Sequence, residues 1–203
     1  VPIVYITVRL LRGIDIRQYG TGNMGASNAV VQLGLPTGLL LGMADAFGKG
    51  TLPIMLARLL GLGVDVQVGI ALASVAGHNW SPYLKFTGGR GVATAIGVVL
   101  GFSLWREFLI LTVVMGLIGR LMYKDTGFWT LVAMVALPVL TVIFDRPLEI
   151  VLTAICIAAM LTAKRLIVLG NIGEDQLTEA PALEARLSQG PDGYGARSPV
   201  IES

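Results

Sequence analysis

Of 203 residues, 54% are apolar and only 14% are charged, with a formal net charge of +2. A soluble domain carries about 25% charged residues, so this chain lacks the polar surface to wet a globule of its size; its mean hydropathy of +0.75 agrees. That excludes an ordinary cytosolic enzyme, and the small net charge excludes a nucleic-acid binder, which needs a phosphate-neutralising surface.

The charges are unevenly placed. Of 13 acids, six (Glu174, Asp175, Glu179, Glu184, Asp192, Glu202) fall in the last 30 residues. The remainder reads as a polytopic membrane protein followed by a polar tail. Cys156, the sole cysteine, sits in an apolar run without a partner for an internal disulfide, and reads as a small core or lipid-facing residue.

In chain order the apolar runs cover residues 1–11, 33–62, 64–76, 92–104, 108–123, 128–144 and 150–168. In a bilayer core only helices and closed barrels satisfy their backbone polar groups. The runs show no two-residue alternation, so the pattern predicts helices. About 20 residues cross a bilayer, and the shorter runs call for a thinned bilayer or flanking polar turns. The expected fold is an all-α polytopic membrane protein with about seven transmembrane helices. Its first run reaches only about half that length before Arg9 and Arg12, and reads as a truncated first span.

Threading seven spans collects Arg12, Arg17, Lys85, Arg90, Arg120, Lys124, Lys164 and Arg165 on one side and Arg58, Arg106 and Arg146 on the other. The richer side faces the cytoplasm by the positive-inside rule, which puts the N-terminus outside and the C-terminus inside. Residues 170–203 are rich in Gly, Pro, Ser and acids and read as a disordered cytoplasmic tail, with a weak helical signal at 181–187. No internal repeat suggests an inverted-repeat transporter.

Both long polar loops fall on the cytoplasmic side. The first runs from Arg17 through Gly20-Thr21-Gly22-Asn23-Met24-Gly25-Ala26-Ser27-Asn28. Its Gly-x-Gly-x-x-Gly spacing mimics a dinucleotide fingerprint, but that motif needs a preceding strand in a βαβ unit, and a membrane helix precedes it here. The anion chemistry survives the rejection. Closely spaced glycines let backbone N–H groups converge on an anion, and a following helix N-terminus adds positive potential. Thr21, Asn23, Ser27 and Asn28 add side-chain hydrogen bonders. A merely flexible interhelical loop is the plainer alternative.

In the second run Asp45 and Lys49 stand four apart and share a helix face. Ionisable groups within apolar spans face a cavity or each other, so the pair either serves a site or neutralises itself. The second loop is the densest in chemistry. It opens on Gly77-His78-Asn79-Trp80, with the sole histidine, and continues to Gly88-Gly89-Arg90-Gly91. The glycines repeat the anion-loop pattern, and Arg90 offers a forked cation for phosphate. Two glycine-rich loops with cations on one membrane face suggest a phosphorylated substrate. A third turn at residues 123–127 either closes the site or is a plain turn. A single histidine with scattered acids gives no metal-ligand set, so no metal or cofactor is expected.

The segments Gly20-Thr21-Gly22-Asn23-Met24-Gly25-Ala26-Ser27-Asn28, Asp45-x-x-x-Lys49-Gly50, and Gly77-His78 with Gly88-Gly89-Arg90-Gly91-Val92-Ala93-Thr94 resemble the motifs of the bacterial acyl-phosphate-dependent glycerol-3-phosphate acyltransferases, the PlsY family. The likeness runs from about residue 5 to residue 168. It implies a seven-span enzyme of the bacterial inner membrane, with the acyltransferase domain over residues 1–169. Such an enzyme moves an acyl chain from acyl phosphate to the sn-1 hydroxyl of glycerol 3-phosphate, forming lysophosphatidate in phospholipid biosynthesis. By this resemblance His78, Thr21 and Asn23 are expected in catalysis. Arg17, Gly20, Gly22, Gly25, Ser27, Asn28, Lys49, Asn79, Gly88, Gly89, Arg90 and Gly91 are expected in substrate binding. No covalent nucleophile is required, because acyl phosphate is already activated; His78 or the substrate's own phosphate takes the hydroxyl proton. The implied partners are the two substrates and the bilayer, with no nucleic acid.

The chain departs from the family pattern at a few positions. Val31 stands where an Arg is common, and Ala163-Lys164-Arg165-Leu166-Ile167 replaces a His-Arg-x-Asn-Ile pattern. If the protein is active, Arg17, Lys164 and Arg165 are the nearest cations able to take over. Two rival classes use the same loops: a transporter for a phosphorylated metabolite, and an inactive relative kept as a binding subunit.

Overall fold

The structure, a computed structural model, describes residues 1–114 and 126–188. Among them it is all-helical: α1 (Ile3–Arg12), α2 (Ala26–Leu33), α3 (Leu35–Leu59), α4 (Val64–Asn79), α5 (Val92–Gly101), α6 (Trp105–Thr112), α7 (Thr126–Ile143) and α8 (Leu148–Ser188). By length and composition, α3 and the Leu148–Val168 part of α8 are fit to cross a bilayer, and Val92–Gly101 and Val132–Ile143 are shorter apolar helices. Large apolar side chains such as Leu39, Leu40, Leu59, Leu109, Val135 and Val142 lie exposed along the helices. In water such faces would be a liability; in lipid they are at home.

Two helices form where a single apolar run begins. Gly34, at φ 86°, breaks the chain between α2 and α3, so the second half of the first polar loop is a helix of its own. Pro36 then sits in the first turn of α3, where its missing N–H costs nothing. The middle of α3 widens into a π-helical stretch, Ala44–Thr51. It packs on α5 backbone to backbone: a Cβ on Gly97 would overlap the Ala46 carbonyl oxygen, and one on Gly50 would overlap that of Thr94. Thr51 Oγ1 seals the contact by donating to the Gly97 carbonyl at 2.9 Å. This close approach sets Asp45 and Lys49 beside the end of α4.

Two apolar cores result. One joins Ile54, Ala71, Val75, Val98, Val99, Phe102, Leu137 and Leu161 from α3, α4, α5, α7 and α8. The other, under α1 and the first loop, joins Val4, Val8, Ile16, Met24, Ala29 and Leu84. Opposite the glycine loops, Arg146 closes on the fully buried Glu107 in a bidentate pair, with Nε–Oε1 at 2.6 Å and Nη2–Oε2 at 2.9 Å. That pair ties the start of α6 to the α7–α8 turn.

The chain divides into two compact units, Val1–Lys164 and Arg165–Ser203. In the second, the backbone is helical through Ser188. Residues 189–203, the body of the turn expected at 123–127, Arg120 and Lys124 lie outside the described residues.

Candidate active site

The first loop is closed by one side chain. Asn28, fully buried, donates through Nδ2 toward the carbonyls of Ile16 (3.1 Å), Tyr19 (2.9 Å) and Asn23 (2.9 Å), and its Oδ1 accepts from Thr21 N at 3.3 Å. Gly20 makes room for it: at φ 62° the chain folds so tightly that a Cβ there would overlap Asn28 Oδ1. The Gly25 carbonyl accepts from Asn28 N and Ala29 N, both at 3.1 Å, and starts α2. Thr21 and Ser27 are left exposed, and Asn23 half-buried. Arg17 grips Asp15 at 2.6 Å and holds its carboxyl below the ordinary carboxylate range. It also donates to Thr87 Oγ1 at 3.2 Å, joining the two glycine loops across the chain.

The second loop folds over the C-terminal end of α4. Gly89 N donates to the His78 carbonyl at 3.2 Å. A Cβ on Gly89 would overlap His78 Nε2, and one on Gly91, which sits at φ 74°, would overlap Asn79 Oδ1. The glycines therefore let the loop lie directly on these two side chains without covering them with atoms of its own. Behind them, Asp45 is buried and pairs through Oδ1 with Lys49 Nζ; His78 Nδ1 lies 3.8 Å from Asp45 Oδ2. At that distance the carboxylate acts on the imidazole through its charge and not through a hydrogen bond. A cavity of about 20 Å³, lined by Met24, Asp45, Lys49, His78, Gly88 and Gly89 among others, holds about one water and brings both loops to one place.

Buried polar atoms without a hydrogen-bond partner in the protein gather at this spot. Among the described residues they are Asp45 Oδ1, which keeps its ion pair, His78 Nδ1, both amide atoms of Asn79, and Thr94 Oγ1. Native interiors leave such groups unpaired rarely, and each one calls for an explanation. Asn79 and Thr94 are fully buried. Next to the first turn of α5 lies a second, larger cavity of about 290 Å³. Its walls are apolar side chains of α5, α6, α7 and α8, among them Val92, Val99, Phe108 and Leu137.

The structure thus brings together Arg17, Lys49, His78, Asn79, Gly88, Gly89 and Gly91, and sets the first glycine loop beside them. Asn28 lies inside that loop and bonds its backbone. Gly20, Gly22 and Gly25 shape its backbone. Arg90 is exposed, with no ion pair among the described residues. Sequence reasoning did not single out Thr94 as a site residue; its position three residues past Gly91 puts it in the first turn of α5, and that spacing was the available signal. Lys164 is buried over the Trp80 ring, 5.9 Å from its centroid. No three His, Cys, Asp or Glu side chains among the described residues converge as metal ligands.

Exposed apolar side chains along the helices, glycine-rich polar loops and an apolar cavity define an all-helical polytopic membrane protein. The family is specific. Residues 1–169 match the family model described as glycerol-3-phosphate acyltransferase, and the chain belongs to that family. Glycerol-3-phosphate acyltransferase 2 of Moorella thermoacetica is 36% identical over 160 residues, covering 79% of this chain and 80% of that one. Glycerol-3-phosphate acyltransferase 4 of Dehalococcoides mccartyi (strain CBDB1) is 47% identical over 100 residues, 49% of this chain; the match spans less than half, 43%, of that relative's length. The crystal structure of PlsY, an integral membrane glycerol 3-phosphate acyltransferase, is similar in its glycerol 3-phosphate form, with a TM-score of 0.73 and 28% identity over 86% of this chain and 87% of that one. Its lysophosphatidic acid form gives a TM-score of 0.70.

Proposed function

We propose that the protein transfers an acyl chain from acyl phosphate to the sn-1 hydroxyl of glycerol 3-phosphate, releasing lysophosphatidate and phosphate. The observation that carries this reading is the cluster of unpartnered polar atoms on Asp45, His78, Asn79 and Thr94 between two glycine loops and an apolar cavity. The loops and Lys49 suit phosphate, and the cavity suits the chain. In the reaction the hydroxyl oxygen attacks the acyl carbon, the bond from that carbon to the phosphate oxygen breaks, and the ester forms. The hydroxyl proton goes to His78 Nε2, where the nearby Asp45 charge favours the protonated imidazole, or to the departing phosphate. Asn79 and Thr94 supply hydrogen bonds that become most valuable as charge develops on the acyl oxygen, where one preorganised donor is worth roughly 3 kcal/mol.

The enzyme works as a multi-pass protein of the bacterial cytoplasmic membrane, with seven crossings, the glycine loops and C-terminus inside and the N-terminus outside. The Lys and Arg asymmetry supports that orientation. The test is direct: purified protein in detergent, given acyl phosphate and glycerol 3-phosphate, releases lysophosphatidate and phosphate in equal amounts. Binding of both substrates without product would overturn the reading in favour of a binding protein.

A further inference from the structure

We propose that Lys164 binds the phosphate of the acyl donor and so sets acyl phosphate at the mouth of the apolar cavity. The inference rests on the acyl-transfer reading and adds to it the residue that recognises the donor. Lys164 is only 7% exposed. A lysine is almost never so buried unless it is paired, and ionisable groups within a membrane bundle mark functional pathways. Yet no carboxylate faces Lys164 among the described residues; its neighbour is the Trp80 ring, 5.9 Å away. An aromatic face tolerates a cation but leaves its N–H donors free for an anion.

The position selects which anion. Leu161, one turn earlier on the same face of α8, lines the apolar cavity, and Trp80 follows His78 and Asn79 directly in sequence. Lys164 therefore stands where the cavity meets the unpartnered polar cluster. Acyl phosphate is the ligand with a phosphate next to a long apolar chain. The phosphate of glycerol 3-phosphate has no such chain, and it is served by Lys49 and Arg17 beside the glycine loops. A lipid headgroup would need a cation open to the membrane surface, which a buried Lys164 is not. During transfer the same ammonium offsets the charge that grows on the leaving phosphate.

The test compares Lys164→Met, which keeps the apolar stem, and Lys164→Arg, which keeps the charge, with the unmutated protein. In steady-state transfer, Lys164→Met raises KM for acyl phosphate about tenfold or more while KM for glycerol 3-phosphate stays within about twofold, and Lys164→Arg restores most of the loss. Acyl phosphate alone raises the unfolding temperature of the unmutated protein, and Lys164→Met needs about tenfold more of it for half the effect. An unchanged KM for acyl phosphate, an equal rise for both substrates, or a rise confined to glycerol 3-phosphate overturns the proposal. Should Lys164→Met fail to fold, Lys164→Gln is judged by the same criteria. The unfolding measurement needs no turnover: an unmutated protein that binds acyl phosphate through Lys164 without transferring it would refute the acyl-transfer reading and leave the Lys164 assignment standing.

Discussion

Two asparagines lie fully buried in the two polar loop regions, and their surroundings are opposite. Asn28 spends its whole amide on the first loop, bonding Ile16, Tyr19, Asn23 and Thr21. Asn79, under the second loop, has no partner in the protein for either amide atom. The same residue type at the same burial thus does two jobs. One folds a loop; the other keeps its amide unpaired, as the proposed substrate-binding role requires. Satisfied polarity of this kind is architecture, and an unsatisfied buried amide calls for a partner.

The contrast is broken most severely at Asn28. Asn28→Ala leaves three carbonyls and one amide unpaired in a buried turn, which costs about 3 kcal/mol; the unfolding temperature in detergent drops by several degrees, and activity is lost with the fold. An unchanged unfolding temperature would show that the loop does not depend on it.

A smaller effect belongs to the apolar side of the site. Val92 and Val99, about 10 Å apart along α5 at helical rise, line the cavity together with Phe108 and Leu137. Leu137→Ala opens it, so kcat/KM for a longer acyl phosphate relative to a shorter one rises by about tenfold, the range that a methylene or two commands in an apolar pocket. Competition between two chain lengths measures the ratio directly. An unchanged ratio would place the chain elsewhere.

The smallest effect is at the rim. Because Arg17 holds the Asp15 carboxyl below its ordinary range, the folded state binds that proton less readily than the unfolded chain. The stabilisation is therefore present above the ordinary aspartate pKa of about 3.9 and fades as pH falls through the lower folded value. For so exposed a pair it is worth less than about 1 kcal/mol. The unfolding temperatures of unmutated and Asp15→Asn protein differ slightly at neutral pH and converge in acid; a difference that grows in acid would reverse the assignment.

How much of this was legible in the sequence follows the range of the interactions. The apolar runs announced helices because lipid demands them, and the glycine loops, the Asp45–Lys49 face and His78 stood out because their chemistry is local. The helix Ala26–Leu33 was hidden, since its boundary is set by the left-handed Gly34 inside what reads as continuous apolar sequence. The loop-closing bonds of Asn28 were not legible, because they depend on the fold at Gly20. Trp80 and Lys164 meet from opposite ends of the chain, and no spacing rule joins them. Past residue 170 only a weak helical signal at 181–187 was legible, because Gly170, Gly173 and Pro181 interrupt the segment.

The most direct measurement is on Asn79. Asn79→Leu, of nearly the same shape, removes an amide that the protein itself leaves unpaired, so the unfolding temperature should hold or rise, while acyl transfer from acyl phosphate to glycerol 3-phosphate falls about a hundredfold. Turnover retained with a lowered unfolding temperature would contradict this, and would make Asn79 a second Asn28.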